Sequence, residues 1–235
     1  MLSDILRDVA SLVAPRLCPV CGKALGDDEL VVCTLCEITS PLTYLWQERD
    51  NAMTLALRDI MPVETAAALV WYVARTPWSR VVHSFKYKGK WLLAYNLGRW
   101  FGRILRSSGN FDDIDVVVPV PLHWARRLWR GYNQSEYLAR GIARELGVKA
   151  DLRSVKRSRY NRAQVSKSHS ERWGNMEGVF EVRRPKSLQG KHILLVDDVF
   201  TTGATMTSLG QALLSSVADC RLSVVTLSSA HRQLG

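Results

Sequence analysis

The 235-residue sequence contains no apolar run long enough to cross a membrane. The longest, Ala66 to Ala74, has nine residues, against the ~20 that a bilayer core requires. A secretory pattern is missing as well: Asp4, Arg7 and Asp8 break the first apolar stretch, and no small-residue cleavage site follows. A cytoplasmic location is therefore expected. Internal repeats and low-complexity tracts are absent. With 47% hydrophobic and 23% charged residues, wholesale disorder and fibrous classes are excluded. There is no Gly-x-Ser-x-Gly elbow of the kind an α/β-hydrolase carries. A Gly-Lys-Ser/Thr phosphate loop and a dinucleotide-binding glycine fingerprint are also lacking. The five histidines, His83, His123, His169, His192 and His231, show no pairing at metal-ligand spacing. Acidic residues are scarce in one place only. Residues 121–191 hold 17 Lys+Arg against six Asp+Glu, whereas the rest of the chain holds 15 against 16. The net charge of +10 thus belongs to one block. That location points to a local anionic partner, a polyanion or a phosphorylated small molecule, rather than to a cationic surface in general.

Cysteine is infrequent but patterned. Cys18-Pro-Val-Cys21 and Cys33-Thr-Leu-Cys36 are separated by eleven residues. Two such knuckles supply four thiolates that close tetrahedrally on zinc and leave no position open for substrate. Gly22 follows the second cysteine, and Gly26 with Asp27 lies between the knuckles, as the turns of such a ribbon require. Two disulfides are the competing reading, and they need an oxidising compartment. Cys220 has no partner in this pattern and reads as a buried small hydrophobe.

Along the chain, Leu2, Ile5, Leu6, Val9, Leu12 and Val13 fall at helical spacing and predict a short amphipathic helix. Residues 37–62 have no clear period and are punctuated by Pro41 and Pro62. Ala66 to Val73 reads as a buried strand. Helical periodicity appears twice over residues 78–106, around the break Lys86-Tyr87-Lys88-Gly89-Lys90. From residue 114 strands and helices alternate. Ile114–Val118 is a strand ending at Pro119, and Gln134–Leu146 is a helix closed by Gly147. A strand Ile193–Val196, a helix Thr205–Val217 and a strand Leu222–Leu227 complete the series. This alternation predicts an α/β fold with a doubly wound, mainly parallel sheet. The expected division is residues 1–62 as helix, ribbon and connector, and 63–235 as the α/β domain.

The most informative stretch runs from Ile193 to Thr205. A buried strand delivers Asp197 and Asp198 to its carboxyl end, where open α/β sheets bind ligands. Thr201-Thr202-Gly203-Ala204-Thr205 then turns into a helix. Gly203 permits close backbone approach, and the hydroxyls with the free N–H groups at the helix start form an anion nest. A phosphate in the nest beside carboxylates that accept from ribose hydroxyls describes a sugar-phosphate binder. Capping of a plain strand-to-helix turn by Asp and Thr is the simpler alternative.

Leu194 to Thr205 resembles the phosphoribosyl pyrophosphate (PRPP) motif of type I phosphoribosyltransferases. Together with the four-cysteine knuckles, the chain resembles the ComF family of competence and DNA-utilisation proteins. Val118 to Ser135, containing Pro121-Leu122, Arg126-Arg127 and Arg130-Gly131-Tyr132-Asn133-Gln134, is similar to the family's Pro-Leu…Arg-Arg-Gly-(Phe/Tyr)-Asn-Gln signature. Asn161 to Gln164, then Arg172, Asn175 and Phe180, resemble its later segment. The resemblance implies that Asp197 and Asp198 contact the ribose hydroxyls and that Thr201, Thr202, Gly203, Ala204 and Thr205 hold the 5′-phosphate. It also implies that Pro121, Arg126 and Arg127 sit at the pyrophosphate, with Mg²⁺ bridging its oxygens and those of the ribose. Residues 156–173 would form a loop over PRPP. The implied role is uptake or utilisation of single-stranded DNA, with other DNA-uptake proteins as partners. An active transferase working on a nitrogen acceptor and a non-catalytic nucleic-acid adaptor are the alternatives, and no catalytic residue is identified.

The basic block also interleaves aromatic residues, among them Trp124, Trp129, Tyr132, Tyr160 and Trp173. Cations for backbone phosphates and rings for stacked bases are how single strands are held without sequence preference. Arg130, Trp129, Tyr132, Arg162 and Arg172 are the nucleic-acid candidates. For any single ring, packing against a core is the commoner use.

Overall fold

The computed structural model describes residues 15–84, 89–158 and 179–230, with the side chains of Ala125, Arg126 and Arg130 left aside. The expected helix over residues 2–13, most of the Lys86–Lys90 break, residues 159–173 of the expected loop over PRPP, and with them Arg162 and Arg172, lie outside the described residues. Lys156 and Arg157, expected in that loop, belong to a strand instead.

The central sheet has five strands in the order β1 (Ala66–Tyr72), β7 (Arg221–Ala230), β6 (His192–Phe200), β2 (Val116–Pro119), β3 (Lys149–Ala150). All of its pairings are parallel. A parallel sheet must be covered on both faces, and the side-chain alternation does this. Leu194 and Val196 of β6 join one apolar cluster, and Ile193 and Leu195 join the other. The first face is covered by α4 (Trp91–Ser108) and α6 (Gln134–Leu146). The second is covered by α2 (Ala52–Arg58) and α7 (Ala204–Ser216). Before α2 come α1 (Thr34–Ile38) and a short 3₁₀ turn. Helix α3 (Pro77–Ser84) follows β1, and α5 (Trp124–Arg130) follows β2. A separate antiparallel ribbon pairs β4 (Val155–Arg157) with β5 (Phe180–Val182).

Helices α4 and α6 meet backbone to backbone. A Cβ on Gly98 would lie 2.2 Å from the Leu138 carbonyl oxygen, and one on Gly141 would lie 2.2 Å from the Tyr95 carbonyl oxygen. Glycine at both positions is what lets the helices approach this closely. The N-terminal segment shares the first cluster: Val31, Val32, Cys36 and Trp46 are buried in it beside Trp100 and Phe101.

The doubly wound parallel sheet expected from the sequence is present, and the helix over Gln134–Leu146 has the expected bounds. The β6 strand is longer than expected, because β7 continues beside it, pairing Asp197 with Thr226 and Phe200 with Ser229. The two aspartates therefore lie within the hydrogen-bonded ladder and not after it. Cys220, expected to be buried, is half-buried at the rim of the second cluster.

Candidate functional site

The four N-terminal sulfurs come together through local turns. Gly22, at φ 78°, donates its N–H to the Cys18 carbonyl at 2.8 Å, which bends the first knuckle around its sulfurs. Only a residue without Cβ takes that conformation freely. Glu29 ties the knuckles together, accepting from the Gly26 N–H at 2.8 Å, the Thr34 N–H at 2.6 Å and the Thr34 hydroxyl at 2.9 Å. These bonds, led by the Thr34 amide, hold the Glu29 carboxyl below its ordinary range. Cys18, Cys21, Cys33 and Cys36 offer ligand atoms all within 4.8 Å of one another, and no disulfide joins them. The thiols are driven apart in acidity. The Lys23 amide lowers Cys21 to about 7, while burial pushes Cys36 up. Four thiolates this close repel one another unless a cation offsets them, and a soft divalent ion in a tetrahedral sulfur set is what this donor chemistry fits.

The second constellation lies at the carboxyl edge of β2 and β6. Asp197 Oδ1 accepts from the Ser135 hydroxyl at 2.8 Å and from the Asp198 N–H at 2.8 Å. Ser135 is itself positioned by Asn133, which caps α6 by accepting from the Ser135 N–H at 3.2 Å. The amide of the same Asn133 donates to the Val120 carbonyl at 3.0 Å. The β2 exit loop, the start of α6 and the β6 aspartates are thereby fixed to one another. On the far side Gly203 stands at φ 73° before α7, and a Cβ there would meet the Phe200 ring at 3.1 Å. The N-cap Gly203 has no side chain, and the Thr202 hydroxyl takes only the Ala204 N–H, at 3.4 Å, so the next N–H groups of α7 are available to an anion.

These residues surround a cavity of about 430 Å³ lined by Pro121, Ser135, Asp197, Asp198, Thr201 and Thr205, among others. A larger cavity, about 590 Å³, lies between the cysteine segment and α4 and holds none of the sequence-predicted site residues. Of the predicted set, Thr202, Gly203 and Ala204 shape the turn beneath the first cavity without lining it. Arg127 lines a neighbouring cavity instead and pairs with Glu136 at 3.1 Å. Arg126 and Arg130 belong to α5, which the sequence reading had left without a helix. Trp129 is 72% exposed on α5, whereas Tyr132 is 7% exposed and packs edge-on against Tyr137 at 5.6 Å. The Tyr132 ring is in the interior, where no base reaches it, which corrects its place among the nucleic-acid candidates.

Sequence reasoning missed Tyr72, His83 and Arg157 as lining residues of this cavity. Tyr72 stands at the carboxyl end of β1, at the same sheet edge, and its hydroxyl lies 3.1 Å from His83 Nε2. The end of a parallel strand was the available signal for Tyr72. For His83 and Arg157 there was none.

Comparison with known proteins agrees with this architecture. Residues 133–234 match the phosphoribosyl transferase domain family. DNA utilization protein YhgH of Salmonella typhi is 32% identical over 206 residues, 86% of this chain and 79% of that protein. Competence protein F of Haemophilus influenzae is 28% identical over 58% of this chain and 62% of its own length. Competence protein ComFC of Bacillus subtilis is 26% identical over 94% and 81% respectively. Among solved structures, the allosteric regulatory enzyme of purine biosynthesis aligns at a TM-score of 0.37 and 22% identity, over 56% of this chain and 25% of that one. The fold assignment rests on the strand order and the domain match, not on that alignment. With this sheet, this strand-edge constellation and relatives aligned along most of its length, the chain belongs to the ComF/YhgH family of competence and DNA-utilisation proteins, built on a phosphoribosyl transferase domain.

Proposed function

We propose that the protein binds PRPP at the β6 edge and serves the uptake or reuse of single-stranded DNA in the cytoplasm. One observation carries the PRPP half: adjacent aspartates on a central strand, the first held by Ser135, share a cavity with Thr201 and Thr205 of a turn that enters a helix through glycine. Asp197 and Asp198 accept from the two ribose hydroxyls. The Thr201 and Thr205 side chains and the first amides of α7 take the 5′-phosphate, and the Pro121–Leu122 loop faces the pyrophosphate. Mg²⁺ bound with PRPP would neutralise pyrophosphate charge through hard oxygen ligands. The relatives' names supply the DNA half, together with the basic block of residues 121–191. On this reading residues 63–235 form the PRPP-binding unit and 1–62 the metal-holding head. The four cysteines hold zinc in a purely structural role, and metal analysis of reduced protein is expected to give about one zinc per chain.

The decisive measurement is calorimetric titration of PRPP with Mg²⁺ into wild-type protein and into Asp197→Ala/Asp198→Ala. Losing two hydrogen bonds to charged acceptors, at about 1.5–3 kcal/mol each, is expected to weaken binding by about 100-fold or more. Far-UV circular dichroism checks that the variant is folded, and unchanged affinity overturns the assignment.

A second reading is catalytic transfer. Tyr72, Val82 and His83 also line the cavity, leaving a wall that ribose and phosphate do not use. There a nitrogen acceptor would form its bond to the ribose C1 as the C1–O bond breaks, and pyrophosphate would leave with the electron pair. Positioning and stabilisation of the leaving group dominate such chemistry. Pyrophosphate release across a panel of nitrogenous acceptors separates the enzyme from the binder.

A further inference from the structure

A second cavity, about 420 Å³, adjoins the first and shares Pro121, Leu122 and Arg157 with it. Its character is opposite. The first is lined by the Asp197–Asp198 pair, whereas the second gathers Arg127, Arg153, Lys156, Arg157, Arg183 and Arg184 against Glu136 as the one acid among the lining residues. Four stretches bring these cations together: α5 carries Arg127, the segment before β4 carries Arg153, β4 carries Lys156 and Arg157, and the segment after β5 carries Arg183 and Arg184. Internal pairing cancels only part of the charge. Arg127 meets Glu136 at 3.1 Å, and Arg183 lies 3.7 Å from the exposed Glu181. Among the described residues, neither Arg153 nor Lys156 takes part in an ion pair. Arg157 is set over the Phe180 ring at 5.5 Å, which fixes its direction.

The rim adds a second chemistry. Trp124 lines the cavity and is 66% exposed, and the same helix exposes Leu128 at 80% and Trp129 at 72%. Large apolar side chains left in water beside clustered cations call for a ligand offering both anionic and flat apolar surfaces. Pyrophosphate has no plane to stack on Trp124, and it needs far fewer than six cations. An anionic bilayer offers both chemistries but meets convex faces, whereas these cations line a hollow.

We infer that this cavity, bounded by the β4–β5 ribbon and α5, seats the backbone phosphates of a single nucleic-acid strand, with bases stacked on Trp124 and Trp129. The strand thus runs alongside the PRPP pocket and is separated from it by the Pro121–Leu122 wall. This deepens the single-strand half of the reading above and, Arg127 apart, uses cations that the sequence alone does not single out.

The test is fluorescence anisotropy with a labelled 20-nucleotide oligo-dT on the full chain, across a salt series. In Arg153→Ala/Lys156→Ala/Arg184→Ala, affinity at low salt is expected to fall at least tenfold. The slope of log K against log salt is expected to flatten by about 2, since each phosphate contact contributes about 0.7. Trp124→Ala alone is expected to cost about fivefold or more, with the salt slope unchanged. PRPP affinity, titrated in parallel, is expected to stay within twofold in all of these. The three cations are exposed, so thermal unfolding should be near wild type and confirms that folding is not the cause. Undetectable wild-type binding of oligo-dT, or equal binding by the triple variant, overturns the inference. PRPP affinity falling in step with the triple substitution assigns the cavity to pyrophosphate instead. Tighter binding to vesicles of anionic lipid than to oligo-dT assigns it to a membrane surface. Failure of the Asp197/Asp198 experiment leaves this result standing, because the two read different ligands.

Discussion

The cysteine head gathers four thiols and the β6 edge carries two adjacent aspartates, and each is positioned by different means. In the head, two turns and one bridging carboxylate hold four sulfurs within 4.8 Å, and the Lys23 and Cys33 amides offset only part of the repulsion among thiolates. At the strand edge the sheet is already complete. Asp197 is paired with Thr226 of β7, and the Ser135 hydroxyl and the Asp198 amide both donate to its Oδ1. On the proposed reading the head's order depends on zinc, whereas Asp197 is positioned by the protein's own hydrogen bonds. Helices α4 and α6 join them. Trp100 on α4 donates its indole N–H to Glu37 of the head at 3.0 Å, while α6 carries Ser135 to Asp197.

The sharpest way to break the comparison is to remove the metal. Cys33→Ser, or chelation, is expected to destabilise the chain by about 4 kcal/mol, a fall in Tm of about 10 °C, because metal binding here is folding free energy. PRPP affinity measured below that Tm should be retained. If it is lost, head and edge are one cooperative unit. Gly141→Ala attacks the joint itself. The added Cβ collides with backbone, and overpacking is expected to cost about 2 kcal/mol in chemical denaturation despite better helix propensity. Weaker PRPP binding should accompany it as Ser135 is displaced. Ser135→Ala is finer, removing one hydrogen bond to a charged acceptor. It is expected to cost about 1.5 kcal/mol of stability while leaving zinc content unchanged. The smallest effect concerns pH. Burial pushes the Glu145 carboxyl up, but hydrogen bonds from Arg99 at 2.6 Å and Arg103 at 3.3 Å outweigh it and hold it below its usual range. A carboxyl depressed on folding contributes stability above its unfolded pKa and loses it as pH falls through the folded value. Glu145→Gln should therefore flatten the acid limb of the stability curve below about pH 4.5, with little change in shape above it.

What the sequence made legible follows the range of the forces involved. Gln134–Leu146 could be read because apolar period, Asn133 cap and Gly147 stop all lie within a few residues. The knuckles and the Asp-Asp…Thr-Thr-Gly stretch could be read for the same reason: turn chemistry is local. The extension of β6 to Phe200 could not, since it depends on β7 lying alongside. Nor could the convergence of Arg153, Lys156, Arg183 and Arg184, which the pairing of β4 with β5 produces across some twenty-five intervening residues. The sequence showed the basic block as a total, and only the fold reveals that part of it surrounds a hollow. Tyr132 illustrates the reverse case, an aromatic ring in a basic motif that packs inward on Tyr137.

The Pro121–Leu122 wall has a thermodynamic corollary. One short segment faces both cavities, so any shift that one occupant imposes on it alters the surface met by the other. Were both proposed ligands to bind, reciprocity would require that the factor by which PRPP changes strand affinity equal the factor by which the strand changes PRPP affinity. The two occupancies would then be read in a single equilibrium, without a moving domain.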